Sequence, residues 1–248
     1  MSISLAKTFI RRPLSLLIGL ALSTPASLSF AQQQPDAQDK EGLETITVTA
    51  QKRAQNLQDV PVSVTAFTGD EMAESVIKDM YDLQTNVPGL GAFQSQSATN
   101  SSFSIRGVGT SSQNFGLESS VGLYVDGVYR ARQNSLINNL VDVAAVEVLR
   151  GPQGTLFGKN TPSGAVLVNT VLPSHSGGDG FIEASLGNYG LINFAGASSF
   201  SAIDDILAFR ITGFTSQRDG TISDINLGED KINNRDRWGR THSGLIYA

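Results

Sequence analysis

Residues 143–170 read VAAVEVLRGPQGTLFGKNTPSGAVLVNT, and the fold turns on how they are parsed. Residues 143–149 form a short, nearly continuous apolar run rich in valine, the pattern of a buried strand. Residues 151–164 are punctuated by glycine and proline, and residues 165–170 form a second apolar strand. Upstream, residues 122–129 place Asp126-Gly127 between apolar residues, the strongest short-range hairpin signal. Residues 60–67 alternate as a strand. Thr68-Gly69-Asp70-Glu71 then supplies a capping box that opens a helix, with Met72, Val76, Ile77, Met80 and Leu83 on one face and Pro88-Gly89 beyond its end. A short strand at 104–106 lies between two polar loops, 94–102 and the segment running through Gly116. Strands alternating with short helices predict an α+β domain over residues 59–172.

Beyond Pro173 the texture changes. Residues 181–188, 191–201 and 206–217 alternate over about ten positions each. Ile182, Ala184 and Leu186 oppose Glu183 and Ser185. Ile192, Phe194 and Phe200 oppose Asn193, Ser199 and Ser201. Leu207, Phe209 and Ile211 oppose Arg210 and Thr212. Transmembrane barrel strands and a soluble antiparallel sheet both give this period.

The N-terminus favours the barrel. Lys7, Arg11 and Arg12 precede an apolar core at 14–22, and Ser29-Phe30-Ala31 is a small-x-small site, so residues 1–31 read as a signal peptide cut after Ala31. The apolar core is short of the ~20 residues a spanning helix needs. Loss of three positive charges takes the net from −5 to −8, and an acidic, exported chain is no nucleic-acid binder. With no cysteine and only His175 and His242, disulfides, thiolate catalysis and histidine-rich metal cages are excluded. Gly-x-Ser-x-Gly and His-Glu-x-x-His motifs are absent, which argues against an exported hydrolase. Nor does the glycine-rich run end as a phosphate loop does.

Residues 32–58 read as a flexible linker around one β-segment, residues 44–50, ETITVTA. Thr45, Thr47 and Thr49 lie on one face and Ile46, Val48 and Ala50 on the other. A lone strand needs a sheet edge, either in the following domain or on a partner, and the pattern leaves both open.

Four features, in this order, resemble the TonB-dependent outer-membrane receptors of the ferric-siderophore type. They are the 44–50 segment, which is similar to a TonB box; the 60–90 segment ending Asn86-Val87-Pro88-Gly89; Ile105-Arg106-Gly107 followed by Tyr124-Val125-Asp126-Gly127-Val128; and the 146–165 run. The resemblance implies an α+β plug domain (59–172) followed, at 177–248, by the first antiparallel strands of an incomplete transmembrane β-barrel. It implies no enzyme and no resident cofactor, iron arriving already chelated. The partners it implies are the TonB C-terminal domain, a ferric siderophore or similar chelate, and outer-membrane lipid. Glu44, Thr45, Ile46, Thr47, Val48, Thr49 and Ala50 would form an exposed strand that pairs with TonB. Arg106 and Arg150 would pair with barrel-wall carboxylates, the residue-level alternative being solvated strand-end arginines. Gln94, Ser95, Gln96, Thr110, Ser111, Ser112, Gln113 and Asn114 would lie on ligand-facing plug loops, the alternative being ordinary surface loops. The competing function is a plug-like periplasmic or secreted binding module without a barrel.

Barrels of this kind close with ~22 strands, whereas residues 177–248 hold about five or six at ~10 residues each plus turns. Residues 240–248, RTHSGLIYA, do not continue the alternation. The sequence reading therefore expects a fragment arising from a frameshift, an early stop or a truncated gene model, unable to transport alone. Its implied location is the outer membrane, the alternative being a fragment that stays in the periplasm.

Overall fold

The computed structural model describes residues 46–94, 101–110, 118–131, 139–176, 178–224, 229–232 and 234–246. The first domain contains β1 (Thr47–Val48), β2 (Gln55–Asn56), β3 (Ser63–Thr68), α1 (Gly69–Glu74), α2 (Met80–Asn86), β4 (Leu90–Gln94), β5 (Ser101–Ile105), β6 (Val108–Gly109), β7 (Val121–Val125), β8 (Val128–Tyr129), β9 (Val143–Arg150), α3 (Gly154–Phe157) and β10 (Gly164–Thr170). Its central sheet has the order β3-β9-β10-β7-β8, with β10 parallel to β7 and the other neighbours antiparallel. The apolar 143–170 run is explained by this placement, because β9 and β10 are covered on both faces. Val146, Val148, Val166 and Val168 pack toward Met72, Ile77, Met80 and Leu83 of the helical layer. Leu149, Ala165 and Leu167 pack on the opposite face. Between the two strands Gly164 stands at φ +148°, where a Cβ would collide with the Leu149 carbonyl, so their close approach requires glycine.

The Asp126-Gly127 hairpin forms as expected, with Val125 opposite Val128 and both turn residues at positive φ. The capping box is also present: Thr68 Oγ1 accepts from Glu71 N–H at 3.2 Å, and Thr68 N–H donates to Glu71 Oε2 at 2.7 Å. The single helix expected beyond it is instead two. A second capping box starts α2, where Asp79 Oδ1 accepts from the N–H groups of Tyr81 and Asp82, at 2.8 and 3.1 Å. Between the helices Val76 adopts φ +55° and is exposed rather than on the buried face. Ile77 N–H bonds Met72 O and Val76 N–H bonds Ala73 O, a Schellman closure with valine where glycine is usual. A β-branched residue is strained there. Val76→Gly is therefore expected to stabilise the chain by roughly 0.5–1 kcal/mol after glycine's own entropy cost, measurable as a raised urea midpoint.

The remaining strands are β11 (Gly180–Gly187), β12 (Leu191–Ile203), β13 (Leu207–Arg218), β14 (Ile222–Asp224), β15 (Glu229–Ile232) and β16 (Arg235–Ile246). β11-β12-β13-β16 form an antiparallel sheet, and β14 and β15 form a separate hairpin. Among the described residues the four-stranded sheet does not close. The register aligns Ala184 with Phe194 and Thr215, and Phe200 with Phe209 and Gly244, on one face. That face is exposed: Ile182, Leu186, Phe194, Phe200, Ile211 and Trp238 point outward, with Trp238 78% accessible. Arg210, Thr212, Ser199 and Ser216 on the other face are buried. The expectation that residues 240–248 leave the pattern is corrected as far as residue 246, since β16 pairs with β13 without a break from Arg235 to Ile246. Arg240 and His242 interrupt the apolar row on the outward face, but the ladder is made by main-chain groups and continues past them. No helix among the described residues is long and apolar enough to cross a membrane, a criterion that does not bear on strands.

Candidate functional site

The segment expected to stand free is docked from Ile46 onward. Val48 is 0% exposed and Ala50 is buried, both within the cluster of Leu149, Ala165, Leu167 and Tyr124, while Thr47 and Thr49 face out. The two faces read from the sequence are therefore right and the exposure of the strand is not. The expected flexible linker, 32–58, is likewise anchored at two points, Ile46 and Leu57, which pack against the same cluster while residues 52–54 stay exposed. The physical reason is that the short helix α3 reaches this face of the central sheet only through Phe157, and the threonine–aliphatic segment covers Leu149, Ala165 and Leu167 beside it. β1 pairs with β2, Thr47 opposite Asn56 and Val48 opposite Gln55. Leu57 N–H donates to Ile46 O at 2.9 Å. That bond turns the hydrogen-bonding groups of Ile46 and Val48 toward β2 and those of Thr47 toward the opposite edge, while the Thr49 carbonyl accepts from Lys52 N–H at 2.8 Å in the turn that follows. Thr49 then meets Glu147 of β9: its N–H and its hydroxyl both donate to Oε1 at 2.7 Å. Lys52 lies over the Phe157 ring at 5.5 Å. Burial raises the hydroxyl pKa of Tyr124, which donates to Phe157 O. Glu44 and Thr45 lie outside the described residues, as does Ala31.

Arg106 and Arg150 come together at one corner. Arg106 is exposed in the β5–β6 turn at φ +53°, and its N–H donates to Gly89 O at 2.7 Å. Arg150 ends β9, with Nη1 3.5 Å from Pro88 O. Both thus meet the Asn86-Val87-Pro88-Gly89 motif, a convergence the separate motifs do not reveal. Among the described residues no carboxylate lies within ion-pair distance of either, so the expected pairing with wall carboxylates is not made by the strands described.

The ion pair across the two layers has the reverse polarity. Arg210 of β13 forks onto Asp142, just before β9, with Nε to Oδ2 at 2.7 Å and Nη2 to Oδ1 at 2.6 Å. Both side chains are 5% exposed. Thr212 Oγ1 also donates to Asp142, Arg210 Nη1 donates to Ser199 Oγ at 2.8 Å, and Asp179 stands 3.8 Å from the guanidinium. A second contact joins Arg235 of β16 to Asp79 at 3.5 Å. Burial raises the pKa of the Asp79 carboxyl, opposed by the helix N–H groups it caps and by Arg235. A cleft of about 540 Å³ follows this seam between α1 and the sheet. The signal for Arg210 is its place on the polar side of an alternating strand. Its partner, 68 residues away, leaves no mark in the sequence.

Of the expected loop residues, Gln94 closes β4, while Ser95, Gln96, Ser111, Ser112, Gln113 and Asn114 lie outside the described residues. Thr110 is half-buried and its Oγ1 accepts from Ser120 N–H at 2.9 Å, which ties the two ends of its loop together.

A mixed-sheet domain seated against the polar side of an antiparallel meander, with the meander's apolar side turned out, defines a plug set against a wall. The sequence matches the TonB-dependent Receptor Plug Domain family over residues 56–165, and the chain belongs to the TonB-dependent receptors. It is 32% identical to the pesticin receptor of Yersinia pestis over 214 residues, covering 86% of this chain and 31% of that protein. It is 30% identical to the catecholate siderophore receptor Fiu of Escherichia coli K12 over 186 residues, covering 69% and 23%. The structure of the ferric yersiniabactin uptake receptor FyuA from Yersinia pestis superposes with a TM-score of 0.63 at 31% identity, covering 70% of this chain and 27% of that one. The pyoverdine outer membrane receptor FpvA from Pseudomonas aeruginosa shares the fold, with a TM-score of 0.59 at 17% identity, covering 75% and 26%. The chain thus spans less than a third of the length of these relatives. The family is one of receptors, not of enzymes.

Proposed function

We propose that the chain is the plug-bearing part of an outer-membrane receptor that takes up a ferric siderophore or similar chelate, with energy delivered through TonB. One observation carries the membrane reading: the four-stranded sheet buries its polar face and exposes its apolar one. In water that arrangement is the wrong way round, since burial of apolar area is the main favourable contribution to folding. In a bilayer it is the stable one, with Ile182, Leu186, Phe194 and Ile211 against lipid. The chelate class rests on the relatives, whose names include siderophore, yersiniabactin and hemin receptors.

In this reading residues 1–31 direct export and are removed after Ala31. The 44–50 strand pairs with the TonB C-terminal domain by strand addition. The loops holding Gln94, Ser95, Gln96 and Thr110, Ser111, Ser112, Gln113, Asn114 face the incoming chelate. Iron stays in its chelator, and the protein keeps no cofactor of its own. Force applied at 44–50 passes through residues 51–62 to β3, an edge strand of the plug sheet. The Asp142–Arg210 fork holds β9, the neighbour of β3, to the wall.

After expression of the full chain in a Gram-negative host, the protein is expected in the urea-washed outer-membrane fraction. A wholly soluble product would contradict the membrane reading.

A further inference from the structure

We propose that Glu147 is a latch that stores the 46–50 strand on the plug, and that a strand-adding partner must displace it before taking Thr49. The inference rests on reading that segment as the coupling strand. Glu147 is 1% exposed, in the middle of β9, facing the side that β1 covers. It has no cation. Its Oε1 accepts the N–H and the hydroxyl of Thr49 at 2.7 Å and the Asn169 amide at 3.3 Å, and its Oε2 is buried with no hydrogen-bond partner.

A carboxylate in that position is costly unless its acceptors are filled, and two of the three donors come from the one residue Thr49. Hydrogen bonds to a charged acceptor are among the stronger ones a protein makes. The contact therefore selects a single register for the strand: shifting it by one residue would turn Val48 outward and present Glu147 with no threonine. The latch is also soft. Lifting the strand brings water to Glu147, and hydration of the charge offsets much of what the lost donors contributed. Thr49 N–H is given to Glu147 and not to β2, so it is the main-chain donor that a partner strand extending past Val48 would need. Plug and partner thus compete for the same donor. Glu147 is in this account a positioning residue for the coupling strand.

Hydrogen exchange of the Thr49 amide in the full chain tests this. In Glu147→Ala the amide is expected to exchange about ten- to a hundredfold faster than in wild type, as loss of a charged acceptor implies. Glu147→Gln keeps an acceptor and is expected to restore most of the protection. Thr49→Val leaves the core untouched and is expected to speed exchange of the neighbouring Val48 and Ala50 amides several-fold, which gives a reading even if the Glu147 variants fold poorly. Unchanged exchange in Glu147→Ala with an intact plug, or in Thr49→Val, would overturn the latch. Binding of the TonB C-terminal domain to the same proteins separates the two claims. Faster exchange with no binding to any of them would leave the latch standing and remove the coupling reading.

Discussion

Arg210→Met is expected to lower the stability of the full chain by roughly 3–5 kcal/mol, the cost of leaving one half of a buried ion pair uncompensated. Asp142 sits 5% exposed with both oxygens engaged by the guanidinium, and of its donors only the Thr212 hydroxyl would remain. Loss of this size is a large share of the 5–15 kcal/mol that stabilises a typical domain. The companion variant carries the stronger test. Asp142 is at φ +59°, a conformation that asparagine tolerates at least as well as aspartate. Asp142→Asn combined with Arg210→Met removes the stranded charge and is expected to recover most of the loss. Urea denaturation followed by Trp238, the single tryptophan, and by circular dichroism would measure both. A single variant as stable as wild type would show that the seam is held elsewhere.

The central plug was legible because its signals are local. The 143–170 run announces strands covered on both faces, Asp126-Gly127 a tight hairpin, and Thr68 to Glu71 a helix start, and each is present. The helix break was missed because Val76 takes a conformation that neither glycine nor proline advertises. The Asp79-x-x-Asp82 cap was there to be read, but it lay inside a convincing apolar face. The 240–246 strand was missed because alternation is a property of side chains, whereas the ladder to β13 is made by main chain that Arg240 and His242 do not disturb. Docking of the 46–50 strand, the Asp142–Arg210 fork and the convergence of Arg106 and Arg150 on residues 88–89 all join residues far apart in sequence. Such contacts depend on the assembled topology, and local pattern carries no trace of them.

The second large effect concerns the coupling strand itself. Proline at position 47 removes one main-chain donor and places a ring on the strand edge where a partner would pair. Thr47 is exposed, and its N–H points away from β2, so the ladder with β2 and the cluster around Val48 are left in place. Side-chain chemistry alone would make this a mild change. Main-chain pairing makes it a severe one, because strand addition draws its affinity from backbone hydrogen bonds. The decisive measurement is a titration of the TonB C-terminal domain into the full chain and into its Thr47→Pro variant. Wild type is expected to bind, and the variant to bind about ten- to a hundredfold more weakly with an unchanged unfolding midpoint. Equal affinity of the two proteins, or no binding by wild type, would contradict strand addition at residues 44–50.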